Sequence, residues 1–470
     1  MPDPFEAGDD PAARRARRTT LAVASAATAL LLLDVTVVYV ALPAIENDLG
    51  ASFTELQWVI DAYALTLAAA LLTAGSLADR VGRRVVFSAG LALFTAASLA
   101  CALSPSAVAL DISRGLQGLG AAGMFASSLA LLANEFRGAD RGFALGVWGA
   151  VSGAALAVGP LAGGALVDGL GWEWIFLLNL PAGAALWLLA RAGVPESREQ
   201  RPRPSDWLGL AAFAAAAFLL VVGLTRGNPD GWGSLPVVAA FAGSALALGA
   251  FLVRQTRAED PMLDLSLFRI PAFTGTAIVA FAQSLAIYPM FLFLALWFED
   301  VLLLSPFETG LRLLPVTVTL FLVAPFAGHL TGRVPLRVLL SLGLLLVGAS
   351  LLLMHGVRAG DEWTALLPGL LVGGVAIGVI SPALAAAMVG VLSVERSGLA
   401  SGVNNTFRQL GIAAGVALLG AVFEHRAGRV PDAAAFADGL NGVFVVAAVV
   451  ALAAAPLALI LVRTRDLAGS

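Results

Sequence analysis

The chain has 470 residues, of which 59% are apolar and 13% charged, with a formal net charge of -4. Soluble domains carry about 45–50% apolar and about 25% charged residues, so this is not a water-soluble fold. One cysteine, three histidines and long apolar runs exclude a disulfide scaffold, a zinc enzyme and a disordered chain. All 28 basic residues are arginine, and no dense basic patch alternates with aromatics, so nucleic acid is not expected as a partner.

Residues 1–18 form a polar tail containing Arg14, Arg15, Arg17 and Arg18. The apolar run 21–42 is too long for a signal-peptide core and reads as an uncleaved first helix. Further runs follow at 56–78, 84–104, 107–132, 142–167, 174–191, 207–225 and 235–253. The second part of the chain adds 272–298, 309–330, 336–355, 364–390, 398–422 and 441–462. A bilayer core of about 30 Å needs about 20 apolar residues per helix. The expected fold is therefore an all-α polytopic membrane protein with fourteen spans and both termini on one side. Arginine sets that side, because inner loops carry the excess of positive charge. With the N-terminus inside, the inner segments hold 21 arginines and the outer ones five. Arg114 and Arg408 fall inside spans.

The segment Gly75-Ser-Leu-Ala-Asp-Arg-Val-Gly-Arg-Arg84 recurs 253 residues later as Gly328-His-Leu-Thr-Gly-Arg-Val-Pro-Leu-Arg337. Asp140-Arg141 matches Glu395-Arg396 at an offset of 255. Two matches at nearly one offset imply two six-helix bundles with an extra hairpin between them. The expected division is a tail (1–18), a first bundle (19–191), a linker and extra hairpin (192–256), a second bundle (257–463) and a tail (464–470). The geometry leaves a central cavity between the halves as the expected substrate site.

At this point the chain resembles the fourteen-helix drug:proton antiporters of the major facilitator superfamily. The first span contains Leu33-Asp-Val-Thr-Val-Val-Tyr-Val-Ala-Leu-Pro43, similar to the family's LDxTIVNVALP. The loop at Gly75–Arg84 is similar to GxLADRxGRR, and Arg114-Gly-Leu-Gln-Gly-Leu-Gly-Ala-Ala122 to RxxQGxGAA. Gly153-Ala-Ala-Leu-Ala-Val-Gly-Pro-Leu-Ala-Gly-Gly164 looks like the antiporter motif. Trp172-Glu-Trp-Ile-Phe-Leu-Leu-Asn-Leu-Pro181 looks like WRWIFLINVP. The resemblance implies a proton-coupled exporter of amphipathic small molecules such as drugs or antibiotics, monocations among them. The alternative is a dedicated exporter of one metabolite or endogenous antibiotic. It also implies a bacterial cytoplasmic membrane, membrane lipid around a monomer, and no cofactor beyond the proton gradient.

Asp34 stands about 20 Å along the first span at 1.5 Å per residue. A charge inside a span costs about 2.5–3.5 kcal/mol on insertion scales, so a proton-loading or substrate role is expected. The competing reading is a fixed ion pair. Arg114 lies about 10 Å down the fourth span, at the same depth in a core of about 30 Å. It pairs with Asp34, or with Asp111 at i−3, or with backbone carbonyls. Gln117 sits one turn away from it. Asp61, near the start of the second span, reads as a mouth residue or as a solvated helix-end charge. Arg408 lies near the midplane with Asn404 and Asn405 one turn away, and reads as a contact for an anionic or carbonyl-rich substrate, as a partner of Asp34 or Asp61 across the cavity, or as a structural anchor. No acid occurs in Leu314–Pro325, which argues against dicationic substrates.

By resemblance, Gly75, Asp79, Arg80, Gly82, Arg83 and Arg84 form an inner gate. Asp79 would accept bonds from a helix N-terminus of the other half, and the arginines would pair across the gate. The competing reading is positive-inside topology alone. Gly153, Gly159, Pro160, Gly163 and Gly164 make the fifth span thin and bendable. Trp58, Trp148, Phe281, Tyr288, Phe291 and Trp297 are candidates to line the cavity or to pack between helices.

Overall fold

A computed structural model describes residues 11–136, 138–199, 206–391, 397–428, 432–463 and 466. Among them are fourteen helices long and apolar enough to span a bilayer. The first six are α1 (Arg14–Leu49), α2 (Phe53–Val81), α3 (Arg83–Ala102), α4 (Ala107–Glu135), α5 (Phe143–Leu170) and α6 (Trp174–Gly193). The extra hairpin is α7 (Trp207–Asp230) and α8 (Leu235–Arg257). Then come α9 (Pro271–Val301), α10 (Pro306–Leu330), α11 (Leu336–Met354), α12 (Trp363–Met388), α13 (Gly402–Ala427) and α14 (Ala433–Leu461). The first helix extends ahead of its apolar run to Pro11, the first described residue, because the alanines and arginines there are good helix formers. It also continues through Pro43 to Leu49.

The two halves repeat one packing scheme. In the first, α2 and α3 pack on α4, α1 on α5, and α6 on α1 and α3. In the second, α10 and α11 pack on α12, α9 on α13, and α14 on α9 and α11. The 253-residue repeat extends to the far ends of α2 and α10. Ser52 with Glu55 and Ser305 with Glu308 build the same capping box, satisfying backbone donors that a helix start would leave orphaned. Glu395 and Arg396, the second copy of the shorter match, lie outside the described residues.

The end that carries Arg80, Arg83 and Arg84 is the arginine-rich face. At the opposite end the halves close on each other. Gln57 Nε2 donates to the Val416 carbonyl at 2.7 Å, joining α2 to α13. Phe53 stacks within 6.0 Å of Phe293 and 5.4 Å of Phe423. Ser305 Oγ donates to Asp168 Oδ2 at 3.1 Å across the α5/α10 seam. At the arginine-rich end the two seams differ. Along α2/α13, Leu72 still lies against Gly402 and packs with Val403 and Phe407. On α5, Gly153 is three helical turns from Gly164 and shares its face. Gly164 is in contact with Pro306 and Phe307 of α10, whereas a Cβ on Gly146, Gly149 or Gly153 would meet nothing within 4 Å. The halves are thus parted toward the arginine-rich face, on the α5/α10 side.

The hairpin covers the closed seam. Trp58 of α2 stacks on Phe218 of α7 at 5.4 Å, and Asn228 Nδ2 donates to the Ala421 carbonyl of α13 at 2.6 Å. Its arginine-rich end is tied by Asp206. One carboxylate oxygen accepts from the Gly209 amide and Arg254 Nε, both at 3.0 Å, and the other from Gln255 Nε2 at 2.8 Å. Burial alone raises a carboxyl, but here the hydrogen bonds and the Arg254 charge outweigh it and hold Asp206 below its ordinary value. A depressed folded pKa stabilises fully above the unfolded value of about 3.9 and is lost as pH falls through the lowered folded value. Asp206→Asn should therefore lower the thermal unfolding midpoint at pH 7. The gap to wild type should close as the pH is taken below the carboxylate range.

Candidate functional site

Glycine lets α4 approach its neighbours. A side chain at Gly118 would press on the backbone of Tyr63 in α2, whose Cα lies 3.1 Å from the site of a Cβ. A side chain at Gly120 would sit 2.7 Å from the Gly90 carbonyl of α3. This close packing brings Arg114 and Gln117 to Asp34 on α1. Arg114 Nη1 donates to Asp34 Oδ2 at 2.7 Å and also to Gln117 Oε1. Its Nε donates to the Val59 carbonyl at 3.0 Å. Asp34 Oδ1 accepts from Gln117 Nε2 and from Asn179 Nδ2, both at 2.8 Å. Both amides also donate to Ser98 Oγ, at 2.9 and 3.2 Å.

The network is dry. Asp34 is 0% exposed and Arg114 2%. Of the partners expected for Arg114, Asp34 and a backbone carbonyl are present. Asp111 is not among its ion pairs, and Asp111 Oδ1 is buried without a hydrogen bond among the described residues. Ser98 and Asn179 were not among the expected residues. Asn179 had a visible signal, being the only amide in the apolar run 174–191. The position one repeat beyond Asp34 is Ile287, so the second half carries no copy of the pair.

Tyr63 connects this network to the space between the halves. Its ring lies 4.3 Å from the Arg114 guanidinium carbon, and Tyr63 also lines a cavity between the halves. The cavity draws on α1, α2, α4, α5, α9 and α13, and its polar lining is Tyr63, Tyr288, Arg408 and Gln409. Of the aromatics expected there, Tyr288 is present. Trp148 instead donates to Thr28 Oγ1, Trp58 stacks on the hairpin, Phe291 packs on Tyr39 and Trp297 on Phe436.

The remaining candidates are scattered. Asp61 is 0% exposed and neither carboxyl oxygen has a hydrogen-bond partner among the described residues, so it is not a solvated helix-end charge. Neighbouring helices cover it because α2 starts at Phe53, two turns before it. Asn404 Nδ2 reaches the Thr276 carbonyl at 3.4 Å, away from Arg408. Asn405 is buried with Nδ2 unpartnered.

The gate motif holds its own half together in this conformation. Asp79 Oδ1 accepts from Arg83 Nε and Nη2 at 3.0 and 2.8 Å, not from a helix of the other half. Arg84 Nη1 donates to the Val194 carbonyl at 3.1 Å, and Arg84 N to Glu196 Oε1 at 3.0 Å. The Arg83 amide donates to the Ser197 carbonyl at 2.8 Å. Parting of the halves at this end explains why Arg83 and Arg84 form no cross-half pair among the described residues. Gly82 has φ +130°, and a side chain there would meet the Glu196 carboxylate at 2.8 Å, so the turn requires glycine. In the fifth span, Gly159 and Gly163 lie against Thr36 and Val37 of α1, while Gly164 faces α10. Gly310 of α10 reciprocates, with the Pro160 carbonyl 2.6 Å from the site of its Cβ. The glycines therefore bring α5 against both its own half and the other.

Two repeated six-helix bundles around a central cavity, with a buried charge network beside it, define a secondary-transporter architecture. The model of the Major Facilitator Superfamily matches residues 24–313 and 272–469, and the chain belongs to that family. It is 36% identical over 394 residues to the methylenomycin A resistance protein of Streptomyces coelicolor, covering 83% of this chain and 82% of the relative. It is 35% identical over 423 residues to the tetracenomycin C resistance and export protein of Streptomyces glaucescens, covering 88% and 77%. The multidrug resistance protein Stp of Mycobacterium tuberculosis is 35% identical over 410 residues, covering 87% and 76%. Among solved structures, a POT family peptide transporter complex matches with a TM-score of 0.70 at 16% identity, covering 94% of this chain and 95% of that one. The human organic anion transporter MFSD10 matches with 0.64 at 18% identity, covering 96% and 100%. At these identities the structures share the fold.

Proposed function

We propose that the protein is a proton-driven exporter of amphipathic small molecules, drugs or antibiotics, working by alternating access in a bacterial cytoplasmic membrane. The arginine-rich face and both termini lie on the cytoplasmic side, following the arginine distribution. The single observation that carries the reading is the buried Asp34–Arg114 pair, linked through Tyr63 to the central cavity. Arg114 and a proton compete for one carboxylate. With the pair formed, the halves are parted toward the arginine-rich face, where substrate loads. Protonation of Asp34 releases Arg114, and the freed guanidinium changes the packing of Tyr63 at the cavity wall. That coupling links proton entry on one side to substrate exit on the same side. The names of the relatives, covering drug and antibiotic resistance, support the substrate class. A narrower range, one metabolite or endogenous antibiotic, is favoured by the relatives named for methylenomycin A and tetracenomycin C.

The test uses inverted membrane vesicles holding the protein and a panel of fluorescent amphiphiles. An imposed acid-inside gradient should drive accumulation, and a proton ionophore should collapse it. Accumulation that ignores the ionophore, or its absence throughout the panel, would contradict the reading.

A further inference from the structure

The charge that faces the central cavity is positive. Arg408 is the only charged residue in its lining. Its Nε is buried without a hydrogen bond, and no ion pair engages it among the described residues. Tyr63 carries a second unpartnered donor, a hydroxyl buried without an acceptor. Gln409 and Tyr288 complete the polar wall, and the rest is apolar.

Among the described residues no carboxylate lines the cavity. Asp34 is 0% exposed and closed in by Arg114, Gln117 and Asn179. Asp61 is 0% exposed and outside the lining. A guanidinium in the membrane interior is costly unless it meets an anion or several acceptors. Its planar fork matches a carboxylate or a similar oxyanion, and such charge-assisted bonds are about twice as strong as neutral ones. The cavity lining, largely apolar with a few fixed polar groups, has the composition of a small-molecule site.

Resting on the transport reading above, we infer that the cavity takes an acidic amphiphile, an organic anion with an apolar ring body whose oxyanion docks on Arg408. The apolar wall holds the body, and Tyr63 and Gln409 donate to remaining oxygens. The expectation of monocationic substrates finds no acid in this cavity. Tyr63 touches both the ligand space and Arg114, so an anion drawing on Tyr63 acts on the side chain that packs the proton-linked pair.

The test is equilibrium binding to the full chain in lipid nanodiscs, without a gradient. The probes are 2-naphthoate, 2-naphthamide and trimethyl(2-naphthyl)ammonium, which share one ring body. Wild type should bind naphthoate about tenfold or more tighter than the ammonium, where tenfold corresponds to about 1.4 kcal/mol. Arg408→Gln should erase the advantage of naphthoate over naphthamide, and Arg408→Lys should keep part of it. Equal or tighter binding of the ammonium would overturn the inference, as would an unchanged preference in Arg408→Gln. If Arg408→Gln does not fold, the wild-type ranking alone decides. Anion preference without gradient-driven uptake would overturn the transport reading and uphold this one. Gradient-driven uptake with cation preference would do the reverse.

Discussion

Asp34→Asn should abolish gradient-driven export while leaving a protein that still binds ligand. Asparagine keeps the shape of the carboxyl but removes its charge, so no proton can be exchanged there. It also leaves Arg114 buried against Gln117, the Val59 carbonyl and the Tyr63 ring without an anion. Removing one partner of a buried pair costs about 3–5 kcal/mol, so the thermal midpoint should fall as well. The double variant Asp34→Asn with Arg114→Gln separates the two effects. Removing both charges should return most of the lost stability, because an isolated buried cation is worse than none. Export should not return. Recovery of export with recovery of stability would mean that the pair is only a structural tie.

Gly164→Leu is expected to have the second large effect. Any side chain at Gly164 meets the Pro306 carbonyl, and Phe307 Cα lies 2.9 Å from the site of its Cβ. The contact is backbone on backbone, so neither side yields easily. Overpacking of this kind costs about 1–3 kcal/mol, enough to displace an equilibrium between two conformations roughly tenfold or more. The closed contact between α5 and α10 at the arginine-poor end should give way. Uptake should fall about tenfold or more by the same figure, and a cysteine in place of Leu156 on the cavity wall should become reactive from that side. Gly153→Leu is the control on the same face of α5, where nothing lies within 4 Å. It should be tolerated in this conformation. Equal reactivity of the cysteine at the Leu156 position from the arginine-poor side in both variants would contradict this description of the seam.

Much of the architecture was legible because a bilayer demands about 20 apolar residues per span and sorts arginine between its two faces. The depth of Asp34 and Arg114 followed from helix rise alone, and the two do meet at 2.7 Å. Ser98 and Asn179 were not found because a hydroxyl or an amide in an apolar run says nothing about which way its helix is turned. The reading of Asp61 as a solvated helix-end charge failed because its burial depends on helices packed around α2, not on its distance from the end of its own span. Asp79 was read by analogy as a contact between halves. Its actual bond to Arg83 belongs to a conformation parted at that face, and a sequence holds no record of which conformation is populated. The second capping box, Ser305 with Glu308, was visible in retrospect as a further copy of the 253-residue repeat. Arg408 could be placed near the midplane, but only the packing of α1, α2, α9 and α13 leaves it at a cavity without a partner acid.

The central claim is that substrate and proton are exchanged through Asp34. Its most direct test is proton release on adding substrate to proteoliposomes, followed with a pH dye, for wild type beside Asp34→Asn. The expected result is release of protons by wild type on adding a transported amphiphile, with no release by the variant although it binds the same compound. Unchanged release from a folded Asp34→Asn protein would contradict the account and move the coupling site elsewhere.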